Sequence, residues 1–148
     1  MVIDTKKFFD MAKDSSHLSD YTKKNIHIGA VIVYKNKVVA SGWNTNKTNP
    51  LQLHYNQYRD GQGDRHFDVD KHLPSLHAEM KCLVDTKDLD IDWSKASMFV
   101  YRESGGKTRN CCPCPSCTQA LKDRGILNVY YTNEDGYVYK RLEKEDKE

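Results

Sequence analysis

Ala96-Ser97-Met98-Phe99-Val100-Tyr101, then Cys114-Pro115-Ser116-Cys117-Thr118-Gln119-Ala120-Leu121-Lys122-Asp123-Arg124, then Ile126-Leu127-Asn128-Val129-Tyr130-Tyr131-Thr132 decide how this chain folds. The first and third runs are rich in β-branched and aromatic residues and read as strands. The middle run reads as a helix from Cys114 to Arg124, ended by Gly125, because glycine accepts the left-handed backbone of a helix C-terminus. Strand, helix and strand in that order imply a right-handed crossover, and so a parallel pair if the two strands are neighbours in one sheet.

Upstream of this unit, Leu76, Met80, Leu83 and Val84 recur at helical spacing over residues 76–86, behind Pro74 and the candidate cap Ser75. Ile26 to Tyr34 and Val38 to Trp43 are apolar runs around Lys35-Asn36-Lys37, a β-hairpin with a tight polar turn. Phe8, Phe9, Met11 and Ala12 behind Asp4 predict a short amphipathic helix over 4–14, followed by a polar connection over 14–24. Residues 45–73 show no sustained period and read as a long irregular insertion, of the kind that tends to be functional or mobile. Downstream, Asn133-Glu134-Asp135-Gly136 is a turn, Tyr137 to Leu142 an edge strand, and 143–148 a charged tail. The expected fold is α/β with three α-β-α layers: a mixed sheet of about five strands with helices on both faces. Residues 1–148 are expected to form a single domain, since this length supports one real core but not two.

Lys plus Arg number 23 against 21 Asp plus Glu, a formal net charge of +2, far from the basic excess of a protein held mainly by phosphate charge. A hydrophobic share of 38% with mean hydropathy −0.80 describes a small globule with a polar surface. No apolar stretch reaches the roughly 18 residues of a membrane span, and Met1 to Asp10 lacks the layout of a signal peptide, so the expected location is cytoplasmic, with no membrane partner. Of five cysteines, Cys111, Cys112, Cys114 and Cys117 crowd into one segment, which argues against a disulfide framework and for metal or redox chemistry.

His77-Ala78-Glu79 and Pro113-Cys114-Pro115-Ser116-Cys117 each open a predicted helix. The positive end of a helix helps a thiolate exist at neutral pH, and bound Zn²⁺ completes that stabilisation. Cys114 and Cys117, three apart, share one helix face and can grip one ion. With His77 they make three ligands, leaving a fourth tetrahedral position open for water, the arrangement of a catalytic zinc and not of a structural one. The ion lowers the pKa of that water, and Glu79, badly placed to ligate beside His77, is placed to take its proton and pass it on. Taken singly, His77 is equally a satisfied structural histidine, and the C-x-x-C equally a metal clip or redox pair. The two pieces together and in order favour the catalytic reading.

These residues resemble the cytidine and deoxycytidylate deaminase superfamily, whose signature is H-A-E followed some tens of residues later by P-C-x-x-C. The order of elements over residues 4–132 is also similar, with 45–73 as an insertion. The resemblance implies the cytidine-deaminase-like fold, one catalytic Zn²⁺ per chain on His77, Cys114 and Cys117, and Glu79 as proton shuttle. It implies that Asn44, at the end of Ser41-Gly42-Trp43-Asn44, contacts the sugar. The Ala78 N–H would meet the base's carbonyl oxygen, and a backbone carbonyl near Cys112 and Pro113 would meet its amino group. The implied reaction is hydrolytic: water adds to C4 of a cytosine, Glu79 protonates N3 and then the departing amine, and ammonia and a uracil product leave. A homo-oligomer is expected on the same ground. This chain departs from the family in carrying Cys112 before Pro-Cys, and in a long loop from Arg102 to Cys111.

Arg102, Lys107 and Arg109 in that loop are candidates for a phosphate clamp, against ordinary solvated charges. His54, His66 and His72 are candidates for a second metal site with Cys111 or Cys112, against solvated loop histidines. Tyr55, Tyr58 and Tyr101 are candidates for base stacking, Tyr101 more simply packing at its ring, and Cys82 reads as a core residue. Three functions compete: a deaminase of a free pyrimidine nucleotide or nucleoside (dCMP- or cytidine-like), a deaminase of cytosine or adenine in single-stranded DNA or RNA, and an inactive zinc-held binding module.

Overall fold

Asp4 starts the first helix, α1 (Thr5–Ser16), by accepting the Lys7 N–H on its side chain at 3.2 Å, the capping bond expected of an N-terminal aspartate. The computed structural model describes residues 4–19, 27–46, 49–55, 76–104 and 106–143. Within them follow β1 (Ile28–Tyr34), β2 (Lys37–Trp43), α2 (Pro50–Tyr55), α3 (Ala78–Asp85), a 3-10 turn (Trp93–Lys95), β3 (Ala96–Ser104), β4 (Lys107–Thr108), α4 (Pro115–Arg124), β5 (Asn128–Asn133) and β6 (Gly136–Arg141). The predictions at Ile26, Pro74 and Ser75, and those on His66, His72 and Tyr58, lie outside the described residues.

The six-stranded sheet runs β2-β1-β3-β5-β6, with β4 paired to β3 off this path. β3 and β5 are parallel, as the crossover requires, and the other pairs are antiparallel, so the sheet is mixed. β1 and β3 read as continuous apolar runs because both of their faces are covered. Val31, Val33, Phe99 and Tyr101 pack against Phe8, Phe9 and Ala12 of α1, while Ala30, Ile32, Met98 and Val100 face the layer of α3 and α4. The β1–β2 turn places Lys35 and Asn36 at φ 52° and 61°, the left-handed pair that keeps a two-residue hairpin in step with strand twist.

Two glycines let the layers close. A Cβ on Gly29 would run into the backbone of Ala12 and Ser16, so α1 lies directly on β1. A Cβ on Gly42 would stand 2.5 Å from the Ala78 carbonyl oxygen and 3.0 Å from the Cys82 sulfur, so β2 and the first turn of α3 are equally close. Each of the inner helices also sets a cation over an indole, Lys81 of α3 over Trp43 at 4.4 Å and Arg124 of α4 over Trp93 at 4.9 Å.

The structure corrects four boundaries. α1 continues past residue 14 to Ser16. The 45–73 stretch is not irregular throughout, because Asn49 accepts the Leu51 N–H at 2.9 Å and Pro50 opens α2 there. The helix predicted from Leu76 starts at Ala78, since Thr45 and Leu76 exchange two backbone hydrogen bonds and hold that residue extended. The 102–111 loop is mostly ordered pairing: β3 carries on to Ser104 and turns back through Gly106 into β4.

Candidate active site

Both ligand-bearing pieces sit where extended chain becomes helix. His77 is the N-cap residue of α3 at φ −74°, ψ 153°, and Cys114 the N-cap residue of α4 at φ −66°, ψ 167°, with Pro115 following in the first turn. Neither side chain makes a capping bond to its helix. They turn instead toward each other: His77 Nδ1 lies 3.3 Å from Cys117 Sγ and 3.5 Å from Cys114 Sγ, and all three donor atoms fall within 4.8 Å of one another. A tetrahedral zinc with bonds of about 2.3 Å to sulfur and about 2.0–2.1 Å to nitrogen separates N and S by about 3.6 Å. One imidazole nitrogen and two sulfurs at these separations fit that ion. Among the described residues no second group of this kind occurs.

The sulfurs are prepared for a cation. The Cys117 thiol beside it, together with His77 and Ser116, holds Cys114 down to about 3, despite burial, so this sulfur is a thiolate. Cys117, fully buried, is pushed up by its hydrogen bond to Cys114 and by burial. Glu79, only 5% exposed, has its carboxyl pushed up to about 7, above all by burial, with the Cys114 thiolate adding to the rise and His77 opposing it. A carboxyl poised near neutrality both accepts and releases a proton.

These groups open into a cavity of about 230 Å³, whose lining includes Asn44, His77, Ala78, Glu79, Arg102 and Cys112. Asn44 is held firmly: its Oδ1 accepts from the Ile28 N–H at 3.0 Å and the Ser19 hydroxyl at 2.6 Å, which settles which way the amide points. Arg102 donates from Nη1 to the Asn110 carbonyl at 3.2 Å, while its buried Nε finds no acceptor among the described residues. Pro113 and Arg109 do not line this cavity. The Pro113 carbonyl accepts from the Thr118 hydroxyl at 3.2 Å, and the Arg109 backbone is tied into the β3–β4 hairpin through Arg102 and Thr132. Lys107 sits exposed on β4. Tyr101 packs on the α1 face and donates to Glu103 at 2.6 Å, and Tyr55 donates to Asp123 at 2.8 Å. Cys82 is a core residue whose thiol donates to the Ala30 carbonyl at 3.5 Å.

Sequence reasoning missed two contributors, Gln52 and Thr132, and offers a third, Cys111, only as a candidate metal ligand. Gln52 of α2 is fully buried and accepts the His77 N–H on Oε1 at 3.0 Å. Cys111 gives its thiol to the Val100 carbonyl at 3.3 Å and receives the Thr132 N–H at 3.4 Å, and burial pushes it up to about 12, so it is a neutral structural thiol. Thr132 completes that clamp by donating to the Arg109 carbonyl at 2.8 Å, fixing the return of the hairpin toward Cys112. Asn49-Pro50 was the available signal for α2; nothing local marks Cys111 or Thr132.

A family model described as the cytidine and deoxycytidylate deaminase zinc-binding region matches residues 3–133. Comparison with curated proteins gives no significant match. Among solved structures, the apo dCMP deaminase of cyanophage S-TIM5 is similar over 87% of this chain and 82% of its own, at 22% identity and TM-score 0.58. The same phage enzyme in complex with dCMP and dUMP covers 90% and 84%, at 21% identity and TM-score 0.59. The cytidine deaminase of Burkholderia pseudomallei covers 92% and 91%, at 18% identity and TM-score 0.61. At such identities the likeness is one of fold, and it agrees with the mixed sheet and helix layers described above. With the family model spanning most of the sequence, the chain belongs to the cytidine and deoxycytidylate deaminase zinc-binding family.

Proposed function

We propose that this protein is a zinc-dependent hydrolytic deaminase that converts the cytosine base of a free nucleotide or nucleoside to uracil with release of ammonia. The observation that carries the reading is the buried Glu79 carboxyl beside the His77, Cys114 and Cys117 donor triangle, at the head of a cavity that also holds Asn44 and Arg102.

In this reading His77, Cys114 and Cys117 hold the ion. What bound zinc supplies is Lewis acidity, which lowers the pKa of water toward neutrality. The Glu79 carboxylate takes a proton from the water that adds to C4 and delivers it to N3. It then carries a second proton to the amine on C4, which departs as ammonia and leaves a carbonyl at C4. The Ala78 N–H, at the first position of α3 where a helix leaves its donors without intrahelical partners, receives the base's carbonyl oxygen. The backbone carbonyl at Cys112, which lines the cavity where Pro113 does not, takes the amino group. Asn44, already oriented by Ile28 and Ser19, meets the sugar, and the Arg102 guanidinium, with a buried Nε to offer, favours an anionic nucleotide. The family resemblance supports homo-oligomeric assembly, and free nucleotides as substrates fit a cytoplasmic setting.

The test is ammonia release by the zinc-loaded protein from dCMP, from cytidine, from a cytosine-containing oligonucleotide and from an adenosine-containing RNA hairpin. Release from dCMP or cytidine is expected. Release from the polymers alone, or from none of the four, overturns the reading.

A further inference from the structure

We infer that Gln52, on the short helix inside the 45–73 insertion, is a positioning residue for the metal site, acting through the backbone of His77. This rests on the zinc reading above. In a capping box the N-cap residue's own backbone N–H is taken by a Glu or Gln at the third helical position. In α3 that third position is Met80, which offers no such acceptor. Gln52 Oε1 takes its place from another helix, accepting the His77 N–H at 3.0 Å from a fully buried side chain.

The same stretch of backbone is held from its other side. Leu76 exchanges both of its backbone bonds with Thr45, at 3.0 and 3.1 Å, and the His77 carbonyl accepts the Lys81 N–H at 2.9 Å. α2 is itself anchored by Tyr55 donating to Asp123 of α4, the helix that carries Cys114 and Cys117. One side chain of the insertion therefore sets the height and rotation of the imidazole relative to two sulfurs on a different helix. The usual device for this holds the second ring nitrogen of a ligating histidine, and such partners change metal affinity by about 10- to 100-fold when removed. Here the grip is on the main chain of the ligand, so α2 belongs to the metal site's framework.

The test measures zinc affinity by competition with a chromophoric chelator, and the visible ligand-field bands of the Co²⁺-substituted protein, for wild type, Gln52→Leu, Gln52→Asn, Gln52→Glu and Tyr55→Phe. Gln52→Leu removes the acceptor and Gln52→Asn withdraws it by one methylene. Both are expected to weaken zinc by about tenfold or more and to shift or broaden the Co²⁺ bands. Gln52→Glu, which keeps an oxygen acceptor in place, is expected to stay within about threefold of wild type and to keep the bands, as is Tyr55→Phe, which loosens α2 without touching His77. If Gln52→Leu does not fold, Gln52→Asn decides. Wild-type affinity and spectrum in a folded Gln52→Leu or Gln52→Asn protein overturn the inference while leaving the zinc reading intact, and an equal loss in Tyr55→Phe overturns the assignment to Gln52. A wild-type protein that takes up no zinc overturns the zinc reading and the inference together.

Discussion

Gly42→Ala tests the link between the hairpin and the chemistry. The added Cβ would stand 2.5 Å from the Ala78 carbonyl oxygen, where ordinary contact begins at 3.4 Å, so the first turn of α3 must retreat by about 0.9 Å or β2 must yield by the same amount. The Cys82 sulfur at 3.0 Å blocks the sideways escape. Overpacking of this kind costs about 1–3 kcal/mol. For a chain of this length each kcal/mol lowers Tm by about 3 °C, so a drop of roughly 3–9 °C is expected. The functional loss should be larger than the stability loss implies, because Ala78 lies between His77 and Glu79, and a displacement near 1 Å at reacting groups costs on the order of 100-fold in rate. Thermal unfolding, zinc content and ammonia release from dCMP, measured on the same preparation, give all three values. A variant with Tm within 1 °C and kcat within threefold of wild type would refute the claim that close contact at Gly42 sets the height of α3.

Glu79→Gln is expected to bind zinc and fold as wild type does while losing at least about 100-fold in kcat, since general acid–base groups contribute about 10²–10⁴; steady-state kinetics beside metal analysis checks both halves. Cys114→Ser should leave the purified protein with well under one zinc per chain and no turnover, as read by atomic emission and ammonia release. Arg102→Ala should raise KM for dCMP by about tenfold or more and leave KM for cytidine near its wild-type value, the signature of a lost charge-assisted contact; equal changes for both substrates would remove Arg102 from the phosphate end. Gly125→Ala, at φ 105° in the left-handed C-cap of α4, should cost about 1 kcal/mol of unfolding free energy in urea.

The order of elements was legible because it is written in local chemistry. β1 and β3 are apolar on both faces, Gly125 marks the end of α4 with the one residue that tolerates its φ, and Asp4 caps α1 with the side chain that suits it. The donor triangle was legible because each ligand is adjacent in sequence to a helix start. What was not legible depends on contacts distant in sequence. Gln52 and His77 are 25 positions apart, and Cys111 and Thr132 are 21 apart, and neither spacing leaves a periodic trace. The start of α3 was misplaced for a similar reason: Leu76 has the apolar character of a helical residue, but a strand-like exchange with Thr45 outweighs it. Arg102 reads from sequence as part of a loop because β3 becomes polar at its end, where Arg102 and Glu103 still pair with neighbouring strands.

The two cation-over-indole contacts make the molecule its own optical instrument. The sequence has only two tryptophans, and each is partnered with a different ligand-bearing helix, Trp43 with Lys81 of α3 and Trp93 with Arg124 of α4. A nearby positive charge shifts indole emission, so Trp43→Phe and Trp93→Phe yield a pair of single-tryptophan proteins. In one the emission follows the helix that brings the imidazole, and in the other the helix that brings the sulfurs. Titrating each with metal would separate the movements of the two helices without a label.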